Sequence, residues 1–483
     1  MVKNTSLDPD DWEAFRAELH ATLDLAVDHI KSRGDKPVWR PVPDPVRARF
    51  DQPLPRSGQE LSQVVDRIAD DILPYDVGNT HARFFGWVHG AGTPSAMAPA
   101  IMAAAMNANL GGRDHVAIEV EKQVIRWCRQ MFDFPATAGG LVVSGTSMAT
   151  LIALKAACVR HGGADLREQG LRNSKRQLVG YASSQAHSCI ARSFDILGLG
   201  KNALRSIGTD RNFRMDTDEL RARIARDLRE GFQPFLIVGS AGTVNVGAID
   251  PFDELADMAE ELGLWLHVDG AFGALTVLND ALKPALHGIE RANSLAFDFH
   301  KWMHVDYDAG FVLMREAEDQ RRAFSERPDY LAGASRGLAA GNPWFCEYGP
   351  ELSRGFRALK VWFHMSHFGL RAIGENIAEN CALASALGQM VEAEPDLCLM
   401  APVTLNIVCF RFDTDGLSAT EMDRLNGDIV IELQERGLAV PSTTRINERL
   451  AIRVNITNHR TRLSDLEFLV QNVVAIGRDL RDI

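Results

Sequence analysis

Lysine is scarce in this chain: ten of its 52 basic residues are lysine, and the rest are arginine. A lysine among apolar neighbours is therefore conspicuous. Cysteine is scarce too. Seven cysteines without any CxxC pair argue against a disulfide scaffold or a zinc module and predict a reduced, cytoplasmic protein. Excess positive charge is missing, since the net charge is −12, which argues against nucleic acid or an anionic membrane surface as the partner. The longest apolar run, Ala96 to Met106, is too short to span a bilayer, and Pro99 interrupts it. The opening MVKNTSLDPDDW has no apolar h-region, so no secretory signal is read there. Internal repeats, low-complexity tracts and a GxxxxGK[ST] loop are also lacking. What is there is globular in composition, 46% hydrophobic and 24% charged over 483 residues, a length for two to four domains.

Residues 1–90 read as a helical N-terminal arm. Trp12, Phe15, Leu19, Leu23, Val27 and Ile30 recur at helical spacing as one apolar stripe. A proline-rich connector follows (Pro37 to Pro55), and then Ser57 with Glu60 forms a capping-box pattern ahead of Leu61, Val64, Val65, Ile68 and Ile72. Two such stripes on a stiff linker need a larger body or a second subunit to cover them.

Residues 91–365 read as a large α/β domain. Between Gly139 and Arg315 short apolar runs alternate with helical stretches: Leu141–Val143, Leu178–Tyr181, Phe235–Val238, Leu264–Val268, Leu295–Phe297 and Phe311–Met314. The last has too few residues before it for a crossover helix, so the pattern predicts a mainly parallel sheet with one antiparallel strand. Residues 366–483 read as a small α+β domain, with strands near Leu405–Phe412 and Leu450–Ile456. Its helices carry Ser418/Glu421 and Ser464/Glu467 capping patterns.

Three elements carry chemistry. Gly145-Thr146-Ser147 stands at a strand-to-helix junction, where exposed amides and two hydroxyls make an anion site or a plain N-cap. Asp269 closes the apolar strand Trp265–Val268. It suits an N-cap, a metal ligand or the counterion of a cationic ring nitrogen, and no ligand-spaced cluster supports the metal. Lys301 ends another apolar run, between His300 and Trp302. It is either a snorkelling surface lysine or, with its head desolvated and its pKa lowered, a nucleophile toward carbonyls. Gly198-Leu199-Gly200 with Ala203 matches GxGxxA, but no clear strand precedes it, so it is rejected as a dinucleotide site. An anion cradle, a carboxylate and an amine at strand ends are the three things pyridoxal 5'-phosphate (PLP) requires.

The motifs HVDGA (267–271), HKW (300–302), SSQAHS (183–188), AGTVNVGAIDP (241–251) and SRGFRALKVWF (353–363) resemble those of the PLP-dependent amino-acid decarboxylases, which include aromatic-L-amino-acid, histidine and glutamate decarboxylases. The resemblance runs from about His81 to Phe363 and more weakly to the C-terminus. It implies a fold-type I, PLP-dependent transferase-like large domain and decarboxylation of an L-amino acid by a homodimer with shared active sites. By position, it implies that Lys301 forms the Schiff base, Asp269 pairs with the pyridinium nitrogen, and His187 stacks on the ring with Ala271 on its other face. Thr146, Ser147 and His300 would bind phosphate, Thr243 would lie on the cofactor's hydroxyl side, and Tyr330 would match the loop tyrosine that reprotonates the substrate carbon. Trp87, Val88 and His89 would line the side-chain pocket, with Asn107 and Asn109 reaching it from the neighbouring subunit. Trp87 favours an aromatic substrate and the asparagines a polar one; the aromatic reading is preferred. The pattern is broken at Ala82 (proline in many relatives), at Met148 (frequently glutamate) and at Asp298-Phe299 (Asn-Pro). Rival readings are an aldehyde synthase, an aminotransferase or a carbon–carbon lyase on the same fold, and a catalytically silent binding protein. Aldehyde-forming relatives commonly change the loop tyrosine or the stacking histidine, and both are kept here.

Overall fold

The computed structural model describes residues 6–163, 166–171, 176–326 and 333–481. Its centre is a seven-stranded sheet: β1 (Gly139–Val143), β2 (Leu178–Ser183), β3 (Leu204–Ile207), β4 (Gln233–Ser240), β5 (Trp265–Asp269), β6 (Ser294–Asp298) and β7 (Gly310–Met314). The spatial order is β1-β7-β6-β5-β4-β2-β3. Strands β3, β2, β4, β5 and β6 pair in parallel, and β7 runs antiparallel to both β6 and β1. The antiparallel strand is the one the short connection predicted. Helices cover the faces, so β5, β6 and β7 are buried at every residue, which is why they read as unbroken apolar runs. The edge strand β3 was not read from the sequence. Its Leu-Arg-Ser-Ile is half polar because its first three residues are not covered, and only Ile207 is buried. Gly198 and Gly200 take positive φ (73° and 80°) in the turn that leads into β3, a helix-to-strand order opposite to that of a dinucleotide loop.

The chain crosses to a second sheet through the long helix Arg357–Ala393, which is broken at Gly369 (φ 71°). That sheet is antiparallel, with β8 (Leu397–Leu399), β9 (Ile407–Phe412), β10 (Ser442–Ile446) and β11 (Arg449–Asn455) in the order β10-β11-β9-β8. Helices Ala419–Glu435 and Leu463–Arg481 pack on it through a separate apolar cluster that includes Ile429, Leu433, Leu469 and Val473.

Two predicted caps are displaced. The arm's second helix starts at Leu61 with Glu60 as its N-cap, and the Glu60 N–H donates to Gln63 Oε1 (3.3 Å) rather than pairing with Ser57. The last helix starts at Leu463, and Asp465 Oδ2, not Glu467, accepts from the preceding Arg462 N–H (2.9 Å). Ser418/Glu421 form the capping box the sequence predicted. The proline-rich connector also holds one short helix, Asp44–Ala48, with Pro45 in its first turn, where a missing N–H costs nothing. Helix Trp12–Lys31 buries none of its residues. The stripe of Trp12, Leu19, Leu23 and Val27 lies open, as do Val64 and Ile68 of the second helix.

Candidate active site

The carboxyl ends of β4, β5 and β6 bring Ser240, Asp269 and Asp298 to one edge of the sheet, the place where open α/β sheets bind ligands. A cavity of about 250 Å³ opens there. It is lined by Trp87, Val88, His89, His187, Thr243, Asp269, Ala271 and Lys301, with Ser240, Gly242, Val244 and Phe272. Eight of the sequence-predicted residues therefore share one cavity.

Lys301 is carried on the turn after β6. Trp302 pins that turn: it is wholly buried, packs on Phe272 and donates Nε1–H to Asn380 Oδ1 (2.9 Å) on the long helix. Gly90 lies against the same turn so closely that a Cβ would fall 1.9 Å from the His300 carbonyl oxygen, which is what lets the Trp87–His89 segment abut the lysine. Lys301 Nζ sits 3.1 Å from Asp298 Oδ2. The lowered pKa expected from desolvation is not what results. Burial does push the ammonium down, but Asp298 and Asp269 outweigh it and hold the pKa above that of an ordinary lysine.

Asp269 is buried, accepts the Ala271 N–H (3.2 Å) and has the Cys189 thiol 4.0 Å away. Burial pushes its carboxyl up, against the pull of His187 and Lys301. This is a carboxylate that gains from a cationic partner. His187 caps helix Ser188–Ile196, its Nδ1 accepting the Cys189 N–H (3.2 Å), so the neutral ring carries its proton on Nε2. Burial lowers its pKa, which keeps it neutral. His267 of the HVDGA run is a strut: Nδ1 meets Ser294 Oγ (2.8 Å) and Nε2 meets Thr150 Oγ1 (3.4 Å), tying β5 to β6 and to helix Thr146–Gly162.

The cradle lies at the start of helix Thr146–Gly162. The Thr146 hydroxyl is buried with no hydrogen-bond partner among the described residues, while Ser147 is exposed. Asp298 Oδ1 accepts the Thr146 N–H (2.7 Å), which joins the cradle to the lysine through one carboxylate. His300 is buried, accepts the Ala309 N–H at Nδ1 (3.1 Å) and stacks on Tyr307 (4.4 Å between centroids). Thr243 lines the cavity, but its hydroxyl accepts the Ala248 N–H (3.0 Å) and shapes the turn. A buried carboxylate that gains from a cation and an amine in one cavity, with an unpaired buried hydroxyl at the adjoining helix start, fit a phosphorylated pyridine aldehyde.

The asparagines lie elsewhere on this chain. Asn107 is exposed and caps helix Met97–Met106 in the left-handed conformation (φ 44°). Asn109 commits its Oδ1 to the N–H groups of Gly111 (2.9 Å) and Arg354 (3.0 Å). Tyr330 lies outside the described residues. Sequence reasoning missed Asp298, Ser240 and Arg453. Ser240 stands opposite Asp269 in the β4–β5 register, and its buried hydroxyl has no partner among the described residues. Arg453 of β11 reaches across to the Trp87 and Val244 carbonyls. Asp298 had a signal, as a charged residue ending an apolar strand three positions before the lysine. Arg453 had none, because its contacts cross the whole chain.

Comparison with known proteins points the same way. Residues 43–413 match the family model described as the pyridoxal-dependent decarboxylase conserved domain. An aromatic-L-amino-acid decarboxylase of Bacillus atrophaeus is 31% identical, the alignment covering 97% of this chain and 96% of that protein. A tryptophan decarboxylase of Camptotheca acuminata is 28% identical over 94% of this chain and 92% of its own length. The crystal structure of Oryza sativa TDC with PLP and tryptamine superposes with a TM-score of 0.90 at 22% identity, over 98% of this chain and 100% of that one, a likeness of fold.

Proposed function

This chain belongs to the pyridoxal-dependent decarboxylases and is a PLP-dependent carboxy-lyase, and on that premise we propose that its substrate is an aromatic L-amino acid, released as the amine and carbon dioxide. The observation that carries the reading is the meeting of Lys301, Asp269 and the cradle of Thr146 at one sheet edge. The cofactor, when bound, supplies an electron sink for the pair left behind as the carboxylate departs. Lys301 anchors it covalently. Asp269, buried and short of partners, holds a proton on the ring nitrogen. His187, neutral and capped, offers a flat face and one N–H. Thr146, Ser147 and His300 hold the phosphate, Thr243 and Ala271 border the ring, and Tyr330 returns the proton to the substrate carbon.

Trp87, Val88 and His89 favour a flat side chain. Phe84, Trp87 and His89 form a tilted ring ladder with centroids 5.4–6.2 Å apart. Beyond the site, residues 1–90 form an arm, 91–365 the cofactor domain and 366–483 a small domain. The chain works in the cytoplasm as a homodimer whose subunits complete each other's sites, Asn107 and Asn109 included. The open stripe of the arm and the exposed Ile101, Met102 and Met106 support that pairing. A panel of L-amino acids assayed for carbon dioxide with added PLP tests the substrate: turnover of tryptophan, tyrosine or phenylalanine well above that of glutamate is expected, and the reverse order overturns the aromatic reading. An active monomer by light scattering overturns the dimer.

A further inference from the structure

Asp298 ends β6, is 2% exposed, and still has three polar groups converging on it. Oδ1 accepts the Thr146 N–H at 2.7 Å, Oδ2 lies 3.1 Å from Lys301 Nζ, and His300 Nε2 stands 3.7 Å from Oδ2. A buried carboxyl group thus occupies the point where the anion cradle meets the reactive amine. An amide at the positive end of a helix is already taken by an anion. The amine, which attacks a carbonyl only when neutral, is held as an ammonium ion.

We propose that Asp298 is a positioning residue that gates cofactor capture: it holds Lys301 in its charged form and opposes the incoming phosphate dianion at the adjoining helix start. This rests on the reading of Lys301 as the cofactor anchor. In capture, Lys301 gives up a proton to solvent, its nitrogen bonds to the aldehyde carbon, and the carbonyl oxygen leaves as water, so no oxidant or reductant enters. Among the described residues, the groups that face Lys301 are Asp298 from β6, Asp269 from β5, His187 and Cys189 from the start of their helix, Tyr307 and His300 from the lysine's own turn, and His89 from the segment against it. The three histidines stay neutral because burial lowers each of them, and Tyr307 stays protonated because burial raises it. Asp269 remains in every variant below. A difference in the pH midpoint between the unaltered chain and an Asp298 variant therefore reports the influence of the Asp298 side chain on Lys301.

The experiment uses the full chain, freed of cofactor with hydroxylamine and reloaded with PLP, and follows the visible absorbance of the bound cofactor against pH. Asp298→Asn keeps the shape and the hydrogen bond acceptor and removes the charge. Its half-maximal capture is expected about one to three pH units below that of the unaltered chain, with capture at pH 7 at least about tenfold faster. Inorganic phosphate should also compete with PLP more tightly in the variant. An unchanged midpoint, or slower capture at every pH, overturns the proposal, since a merely structural role would lower occupancy without moving the profile. Should Asp298→Asn fail to fold, Asp298→Ser takes its place, and the acylation rate of Lys301 against pH in the cofactor-free chains decides: a midpoint lower in the variant than in the unaltered chain supports the proposal, and an unmoved one overturns it. Borohydride reduction with peptide mapping separates the two readings. A label on Lys301 with an unmoved profile defeats only the gate, whereas a label elsewhere defeats the anchor.

Discussion

Replacing Arg453 by lysine removes a five-donor fork from a place that only a fork can serve. The guanidinium is 3% exposed on β11 and reaches two separate segments of the cavity wall. Nη1 donates to the Trp87 carbonyl (2.8 Å), Nε to the Val244 carbonyl (2.9 Å), and further contacts reach Asn245 and Ser442. Trp87 needs this hold because its backbone is left-handed (φ 52°), a conformation that costs a non-glycine residue about 1–3 kcal/mol and persists only when neighbours impose it. Burial pushes the Arg453 guanidinium down to about 10, still cationic at neutral pH. A lysine there has three donors on one atom and cannot span both carbonyls. Losing two charge-assisted hydrogen bonds, at about 1.5–3 kcal/mol each, costs about 3–6 kcal/mol. For a chain of this length that is a fall of about 3–10 °C in melting temperature by scanning calorimetry, extrapolating the shift per kcal/mol that falls with size. Because Trp87 and Val244 line the cavity, KM for an aromatic amino acid should rise while Lys301 still takes up PLP. An Arg453→Lys chain that melts and turns over like the unaltered one would refute this reasoning.

Other perturbations test separate links. Thr146→Val removes a buried hydroxyl that has no partner, so the cofactor-free melting point should hold or rise while the dissociation constant for PLP, read by absorbance titration, increases several-fold. Glu121→Gln breaks the buried pair in which Arg354 Nη2 lies 2.6 Å from Glu121 Oε1, leaving an uncompensated guanidinium; about 3–5 kcal/mol of stability should be lost in urea unfolding. Burial pushes His267 and His304 down to about 3, so both stay neutral in the fold and take up protons near pH 6.5 once unfolded. Stability contributed in this way is complete above pH 6.5 and is lost as pH falls. Together they lose about 2.7 kcal/mol per pH unit, so this pair alone should lower the unfolding free energy by about 4 kcal/mol from pH 7 to pH 5. A flat profile across that range would contradict the burial of these two rings.

What the sequence made legible follows from burial. Parallel strands covered on both faces appear as plain apolar runs, so a polar residue at the end of one stands out, and Asp269 and Lys301 were visible for that reason. The antiparallel β7 was legible from the shortness of its connection. Two edge strands were not: β3 and β10 alternate or lose their apolar pattern because solvent takes one side, whereas the edge strand β1 is buried along almost its whole length and kept its apolar run. Helix starts slipped by a residue or more because neighbouring acceptors compete for the same orphan amides, as Glu60 and Asp465 do. The charge state of Lys301 was misjudged, since its nearest carboxylate, three residues earlier in sequence, was read as a departure from a motif rather than as an ion-pair partner. Long-range ties were invisible. Asp298 meets Thr146 across 152 residues, and Arg453 meets Trp87 across 366. No local pattern encodes such contacts.

Lys301 is proposed above as the anchor of PLP for decarboxylation of an L-amino acid. The most direct test of that role is product stoichiometry from a carboxyl-labelled aromatic amino acid, with the PLP-loaded chain and its Lys301→Ala variant side by side. One labelled carbon dioxide and one amine per substrate are expected from the first and neither from the second. Aldehyde with peroxide in place of amine, a keto acid with the label retained, or undiminished turnover by Lys301→Ala would contradict it.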